Sequence, residues 1–339
     1  MRKLRVLVLM HDYLVPPEDV SNHDLMTVQW RTEYDILATL RELQHEVHPL
    51  GVGDDLKVVR RAVEEWKPHI VFNMMEAFHE LGTFDHNIVS YLELLRVPYT
   101  GCNPRGLMLA RDKALSKTIL HYHRVSVPDF AVVHVGRSIR SHKKRGFPLI
   151  VKSLTQEGSS GISQASVVED EAKLRERVRF IHESIGTDAI VERYIEGREL
   201  YVGIIGNQRL TVFPVWELHF MKGADDLHRI ATERVKWSAK YRDKYGITTR
   251  AARLPEEVAA RIQYLCRRVY RALYLSGYAR IDLRMDEHGK PYVIEANPNP
   301  QLGYGEDFAE SAERAGISYE QLVQRILLTG LQWRPERLG

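Results

Sequence analysis

Tyr278-Ala279-Arg280-Ile281-Asp282-Leu283-Arg284-Met285, a polar turn over residues 286–290, and Tyr292-Val293-Ile294-Glu295-Ala296-Asn297-Pro298-Asn299-Pro300 decide the reading of this chain. The stretch reads as two short strands, 278–285 and 292–297, joined by Asp286, Glu287, His288, Gly289 and Lys290. Side chains along a strand alternate between faces. Ala279, Ile281 and Leu283 therefore share one face, and Arg280, Asp282 and Arg284 the other. Val293, Glu295 and Asn297 line up in the second strand. A simple hairpin register sets Asp282 opposite Glu295 and Arg280 opposite Asn297. Two carboxylates facing each other across a sheet repel, so a solvated hairpin gains nothing from them. A divalent cation reverses that sign. Two carboxylates and an amide oxygen are hard ligands suited to magnesium, which completes its shell with water and phosphate oxygens. The competing reading is an exposed polar face with an accidental charge pair.

The wording Arg280-Ile281-Asp282, then Glu295-Ala296-Asn297-Pro298-Asn299-Pro300, resembles the metal-binding strand pair of the ATP-grasp superfamily. Within it, the stretch is most similar to D-alanine–D-alanine ligases and the ligase-like proteins around them. The resemblance implies an α/β (α+β) chain, an ATP-grasp fold behind an N-terminal parallel α/β domain. It divides the chain into a pre-ATP-grasp domain (1–112), a central subdomain (113–200) and a C-terminal subdomain with the metal site (201–339). It implies that Asp282, Glu295 and Asn297 hold magnesium on ATP, as two ions with manganese as the alternative. Arg280 would face the reacting acyl phosphate.

The rest of the chain fits this frame. Its 339 residues suffice for two or three domains, and 44% hydrophobic with 27% charged residues is ordinary for a globular protein. A net charge of +3, with both signs interleaved, gives no basic stripe for nucleic acid or an anionic membrane. Two cysteines, Cys102 and Cys266, make neither a disulfide framework nor a zinc cluster and fit a reducing cytoplasm. The apolar run over residues 6–10 is too short for a signal-peptide core, and no stretch is long enough to span a membrane.

Over the first hundred residues, strands at 4–10, 46–50 and 70–73 alternate with helices at 33–44, 56–66 and 87–95. That order predicts a parallel sheet covered by helices, with ligands at the carboxyl ends of its strands. Gly51-Val52-Gly53 lacks the third glycine of a dinucleotide loop and reads as a turn.

Further motifs extend the likeness. Val97-Pro98-Tyr99-Thr100-Gly101, then Arg111-Asp112-Lys113 and Lys117, resemble the junction between the first domain and the nucleotide half of these ligases. There the residue matching Lys113 touches ATP phosphates; the plain alternative is a solvated helix start. A buried strand at 147–152 ends in Lys152 and is followed by Gln156-Glu157-Gly158-Ser159-Ser160-Gly161. Small residues let backbone N–H groups cradle phosphate, and Lys152 adds a point charge. The segment resembles the triphosphate loop, one residue shorter than in D-Ala–D-Ala ligases, leaving open whether Ser159 or Ser160 reaches substrate. Beyond a helix at 169–184, Ala189 to Ile195 and Glu196-Gly197-Arg198-Glu199 match the family's adenine hinge. The match implies that Glu192 and the backbone near Ile195 read adenine and that Glu199 takes the ribose hydroxyls. Strands at 201–205 and 210–216 lead to residues 221–250, which show no sustained period and read as a long functional loop. By its place this loop resembles the one that closes over ATP, with Lys240 or Lys236 near the γ-phosphate. A helix at 255–275, containing a buried Cys266, supports the metal strands, and the tail at 305–328 is helical.

The likeness implies a ligase that turns a carboxylate into an acyl phosphate and lets an amine displace phosphate. Its partners are small carboxylates and amines, with no nucleic acid or membrane, and a second copy of the chain as a homodimer. The acceptor side departs from the family. Glu33 is the nearest candidate for the glutamate that orients the first amino group. Met75-Glu76 replaces a histidine–glycine pair, and residues 299–305 lack the acceptor-binding serine. The alternatives are a true D-Ala–D-Ala ligase, another ATP-grasp activity with a different acceptor, and a non-catalytic ATP-binding regulator. His121 and His123 have no ligand partner at zinc spacing.

Overall fold

The computed structural model describes residues 3–335, apart from 26, 140, 142–144, 157, 159–160, 221–227 and 229. The first unit opens with β1 (Arg5–His11), α1 (Arg31–Glu42), β2 (Glu46–Val52), α2 (Lys57–Trp66), β3 (Ile70–Asn73) and α3 (Asp85–Leu94). β1 pairs in parallel with β2 on one side and β3 on the other, as alternating strands and helices predict. β1 and β3 are almost wholly buried, the signature of strands covered on both faces.

Two helices then connect the halves. α4 (Pro104–Arg111) starts on Asn103, whose side chain accepts from Gly106 N. α5 (Lys113–Tyr122) starts on Asp112, whose side chain accepts from the Ala114 and Leu115 amides. The central sheet contains β4 (Phe130–Val133), β5 (Leu149–Ser153), β6 (Val167–Val168) and, after α6 (Glu171–Phe180), β7 (Ala189–Arg193). Its order is β4-β7-β5-β6, antiparallel throughout.

β8 (Arg198–Ile205), β9 (Thr211–Val212) and β10 (Trp216–Phe220) begin the last sheet. The run at 210–216 was expected to be one strand; Pro214 lies between the two that form. Residues 221–250 were expected to lack regular structure. They contain α7 (Glu233–Trp237), α8 (Ala239–Tyr245) and β11 (Ile247–Ala251). Each is too short for a periodic signal. Their marks are local: Thr232 and Ser238 cap the helices, and Gly246 ends α8 with a left-handed residue. α9 (Glu256–Ala272), β12 (Tyr278–Met285), β13 (Pro291–Pro298), α10 (Asp307–Arg314) and α11 (Tyr319–Leu331) complete the chain. The last sheet runs β11-β10-β8-β12-β13, with β9 on β8.

α10 and α11 cover the first sheet: Phe308, Leu322, Val323, Ile326 and Leu327 share one core with Val6, Val8, Met10, Ile36, Leu40 and Phe72. The backbones also meet at Gly277 (φ +69), where a Cβ would lie 2.3 Å from the Gly101 carbonyl oxygen. Only glycine fits this approach without strain. No helix among the described residues is long and apolar enough to cross a membrane.

Candidate active site

The β12–β13 register sets Asp282 opposite Glu295 and Arg280 opposite Asn297, as the alternation predicted. A bulge after Asp282 brings Leu283 opposite Val293, so Ile294 is the extra residue and its carbonyl turns to another partner. Arg280 clasps Asp282 through two bonds, Nε to Oδ1 at 2.8 Å and Nη2 to Oδ2 at 2.9 Å. Burial alone would lower the Arg280 pKa, but the Asp282 carboxylate outweighs it and raises it. The guanidinium also lies over the Tyr201 ring, 4.7 Å from its centre.

Glu295 is held by Lys113, whose Nζ is 2.8 Å from Oε1 and donates to the Gln156 carbonyl at 2.6 Å. Lys113 thus ties β13 to the start of the glycine-rich segment. Asn297 keeps a buried Nδ2 with no hydrogen-bond partner. Because an amide can be turned end for end, the same space accepts its oxygen as a donor to a cation.

Glu192, on β7, has no solvent exposure and sits between two ammonium groups, Lys117 at 3.0 Å and Lys152 at 2.8 Å. Burial would push its carboxyl up; the two lysines prevail and hold it at about 2. Lys117 also donates to the Ile294 carbonyl freed by the bulge. One buried ammonium therefore joins α5, β7 and β13. The sequence reading named Lys117 but gave it no role; its signal was the four-residue spacing from Lys113, which places both on one helix face.

Arg284 is the residue that sequence reasoning missed. It lies opposite Glu199 across β8 and β12 and donates to Glu199 Oε2 at 2.9 Å. It also donates to the Ile195 carbonyl at 2.6 Å and the Gly197 carbonyl at 3.0 Å. Tyr201 OH donates to the other Glu199 oxygen at 2.8 Å. Ile195, Gly197 and Glu199 are thus held together by one arginine. Its sequence signal was its place on the same face as Arg280 and Asp282.

Gly158 is exposed in a turn with φ +67. Glu157, Ser159 and Ser160 lie outside the described residues, as does the Lys236 side chain. Lys240 is exposed on α8. The segment beyond Ser160 is tied to the start of α7: Gly161 N donates to Glu233 Oε2 at 3.0 Å, and Glu233 N to the Ile162 carbonyl at 3.0 Å.

On the first unit, Glu33 of α1 is 6% exposed. Burial, with Glu76 and Asp35 nearby, raises its carboxyl to about 7 despite a bond from its own amide. Glu76 reaches solvent, yet desolvation lifts its carboxyl above the usual range against the pull of Arg111. The exposed Tyr13 is pushed up by desolvation and by Glu76, Asp12, Glu33 and Glu80 together, marking one acidic mouth beyond β1 and β3. The loop after β13 is fixed beside it: Tyr304 N donates to Asp35 Oδ2 at 3.0 Å, and Arg31 Nη2 to the Tyr304 carbonyl at 2.8 Å.

A family model described as the D-ala D-ala ligase C-terminus matches residues 120–328. An uncharacterised protein of Sinorhizobium fredii, y4sG, is 32% identical over 308 residues, covering 88% of this chain and 87% of its own. A D-alanine–D-alanine ligase of Desulforudis audaxviator is 30% identical over 303 residues, covering 88% and 92%. The crystal structure of D-alanine–D-alanine ligase from Bacillus anthracis complexed with ATP superposes with a TM-score of 0.75 at 23% identity. It covers 97% of this chain and 98% of that one. This chain belongs to the D-Ala–D-Ala ligase family, the ATP-dependent carbon–nitrogen ligases of the ATP-grasp fold.

Proposed function

We propose that this ligase joins a carboxylate to an amine other than the D-alanine pair, and that the amine enters through the acidic mouth of the first unit. The observation that carries the reading is the contrast at the two substrate positions. Arg280 and the lysines supply cations on the nucleotide side, whereas the other side presents two carboxyls, Glu33 and Glu76, that burial makes reluctant to ionise and that an ammonium group would help to charge. A carboxylate entering that mouth would meet like charge, and burying unpaired charge costs several kcal/mol. The loop that carries an acceptor-binding serine in the family is Pro300-Gln301-Leu302-Gly303-Tyr304 here. Its backbone is already bound to α1.

The donor set suits magnesium: two facing carboxylates and an amide whose buried end lacks a partner. Asp282, Glu295 and Asn297 would hold it, and when bound it would offset phosphate charge on ATP. Lys113 and Lys152 supply further positive charge for the triphosphate, while Glu192, the Ile195 backbone and Glu199 form the wall for the base and ribose. Lys240 and the serines of the glycine-rich segment complete the proposed nucleotide contacts. Arg280 is positioned to stabilise the oxyanion formed when the amine attacks the acyl phosphate. To do so it must exchange its grip on Asp282 for the substrate, which frees Asp282 for the cation. The same reading divides the chain after residues 112 and 200, a division that limited proteolysis would check.

The test is coupled detection of ADP with D-alanine against a panel of amino acids, dipeptides and polyamines. We expect poor turnover of D-alanine alone and ADP release with an amine-rich pair. Asp282→Asn and Glu295→Gln should each lower that turnover at least a hundredfold with an unchanged far-UV circular dichroism spectrum. Efficient D-Ala–D-Ala formation would overturn the substrate reading, and unimpaired variants would overturn the metal assignment.

A further inference from the structure

A second charged recess lies away from the nucleotide site. The connector after α5, one face of α9 and the β12–β13 turn enclose a cavity of about 360 Å³. Arg124, Arg261, Arg268, His288 and Lys290 line it, and no acidic side chain does so among the described residues. Among the described residues Arg124, Arg261, Arg268 and Lys290 enter no ion pair, while His288 has an acidic neighbour, Glu287 at 3.6 Å, and both of those are largely exposed. In a chain with 48 basic and 45 acidic residues, this is a local excess rather than a general bias.

Two of the cations are also held in place. Arg261 Nη2 donates to the Gly289 carbonyl at 3.1 Å, and Arg268 Nη2 to the His123 carbonyl at 2.6 Å. Each guanidinium is anchored by one nitrogen and keeps further donors to offer. Fixing the forks in advance lowers the ordering cost of an incoming anion. Tyr264, 65% exposed, adds an aromatic face at the same cavity.

We infer that this recess binds a compact polyanion carrying phosphate groups, at a site separate from the nucleotide. Four converging full charges repel one another in the free protein, and a multiply charged anion removes that repulsion. Guanidinium forks match phosphate oxygens in pairs, and the cavity lies at the lower end of the small-molecule range. Pro291, at its rim, is four residues from Glu295 along β13, roughly 13 Å of strand.

The experiment is titration calorimetry of pyrophosphate into the full chain, with and without saturating magnesium and a non-hydrolysable ATP analogue. A pyrophosphate site that survives the analogue is expected. Arg268→Glu and Lys290→Glu should each weaken it at least tenfold without changing analogue affinity, and the milder Arg268→Gln and Lys290→Gln should weaken it less. Inorganic phosphate should bind more weakly than pyrophosphate; citrate binding equally well would replace phosphate recognition by charge alone and overturn the phosphate assignment. The inference also fails if the analogue abolishes all pyrophosphate binding, or if charge reversal in a folded variant leaves affinity unchanged. Since the charge variants read this recess alone, a failure of the ligase reading would leave its outcome intact.

Discussion

The two ends of the active site handle charge in opposite ways. On the nucleotide side each carboxylate already has a cation: Asp282 has Arg280, Glu295 has Lys113, Glu192 has two lysines and Glu199 has Arg284. In the first unit burial, helped by the nearby Glu76 and Asp35 carboxylates, holds the Glu33 proton up to about 7. Paired charges make a scaffold that keeps its shape before a ligand arrives, and they yield only to a ligand that offers better partners. Unmatched carboxylates store an electrostatic deficit that a bound cation removes. The first arrangement suits a polyphosphate brought with its metal; the second suits an ammonium group.

The sharpest way to break this contrast is Lys117→Met. It leaves a buried Glu192 with one cation fewer and the Ile294 carbonyl without its donor, a loss of about 3–5 kcal/mol by the general behaviour of buried pairs. Urea denaturation measures it, and Lys117→Met with Glu192→Gln should recover part of the loss; a single variant of unchanged stability would show that the pairing is incidental. Arg284→Met should cost about 2–3 kcal/mol by the same assay, since it strips a charged bond from Glu199 and two carbonyl contacts from the hinge. It should also weaken nucleotide binding, whereas an unaltered nucleotide affinity would remove the hinge from its role.

The smallest effect lies on the unpaired side and has the opposite sign. Below pH 4.5, Glu33 is protonated both folded and unfolded. Between 4.5 and about 7 the folded chain keeps the proton that the unfolded chain has lost, so stability falls as pH rises. Glu33→Gln should remove that fall, raising the melting temperature by a few degrees at pH 8 and leaving it unchanged at pH 4. Amine affinity should decline in the same variant. Equal melting curves for both proteins at pH 8 would mean that Glu33 carries no burial penalty.

How much of this was written locally explains what could be read from the sequence. Strand alternation fixed the facing of Asp282 and Glu295, because a hairpin register follows from neighbouring residues. Alternating strands and helices likewise announced the parallel sheet. Lys117 reaching Ile294 spans 177 positions and Arg284 reaching Ile195 spans 89, and such pairings leave no periodic trace. α7, α8 and β11 escaped because five to seven residues hold barely one or two turns of pattern. For the two helices the local signal was a capping residue, Thr232 and Ser238.

The covering of the first sheet by α11 bears on how the chain is made. Leu322, Val323, Ile326 and Leu327 close a core that Val6 and Val8 open, and a Cβ at Gly330 would lie 2.4 Å from the Tyr99 carbonyl oxygen. Since synthesis runs from the amino terminus, the ribosome delivers this opening sheet hundreds of residues before the helix that seals it. That face lacks its α11 cover until residues 319–331 have been made. A chain stalled before residue 319 would carry that face uncovered, so an interruption late in the chain exposes its opening sheet.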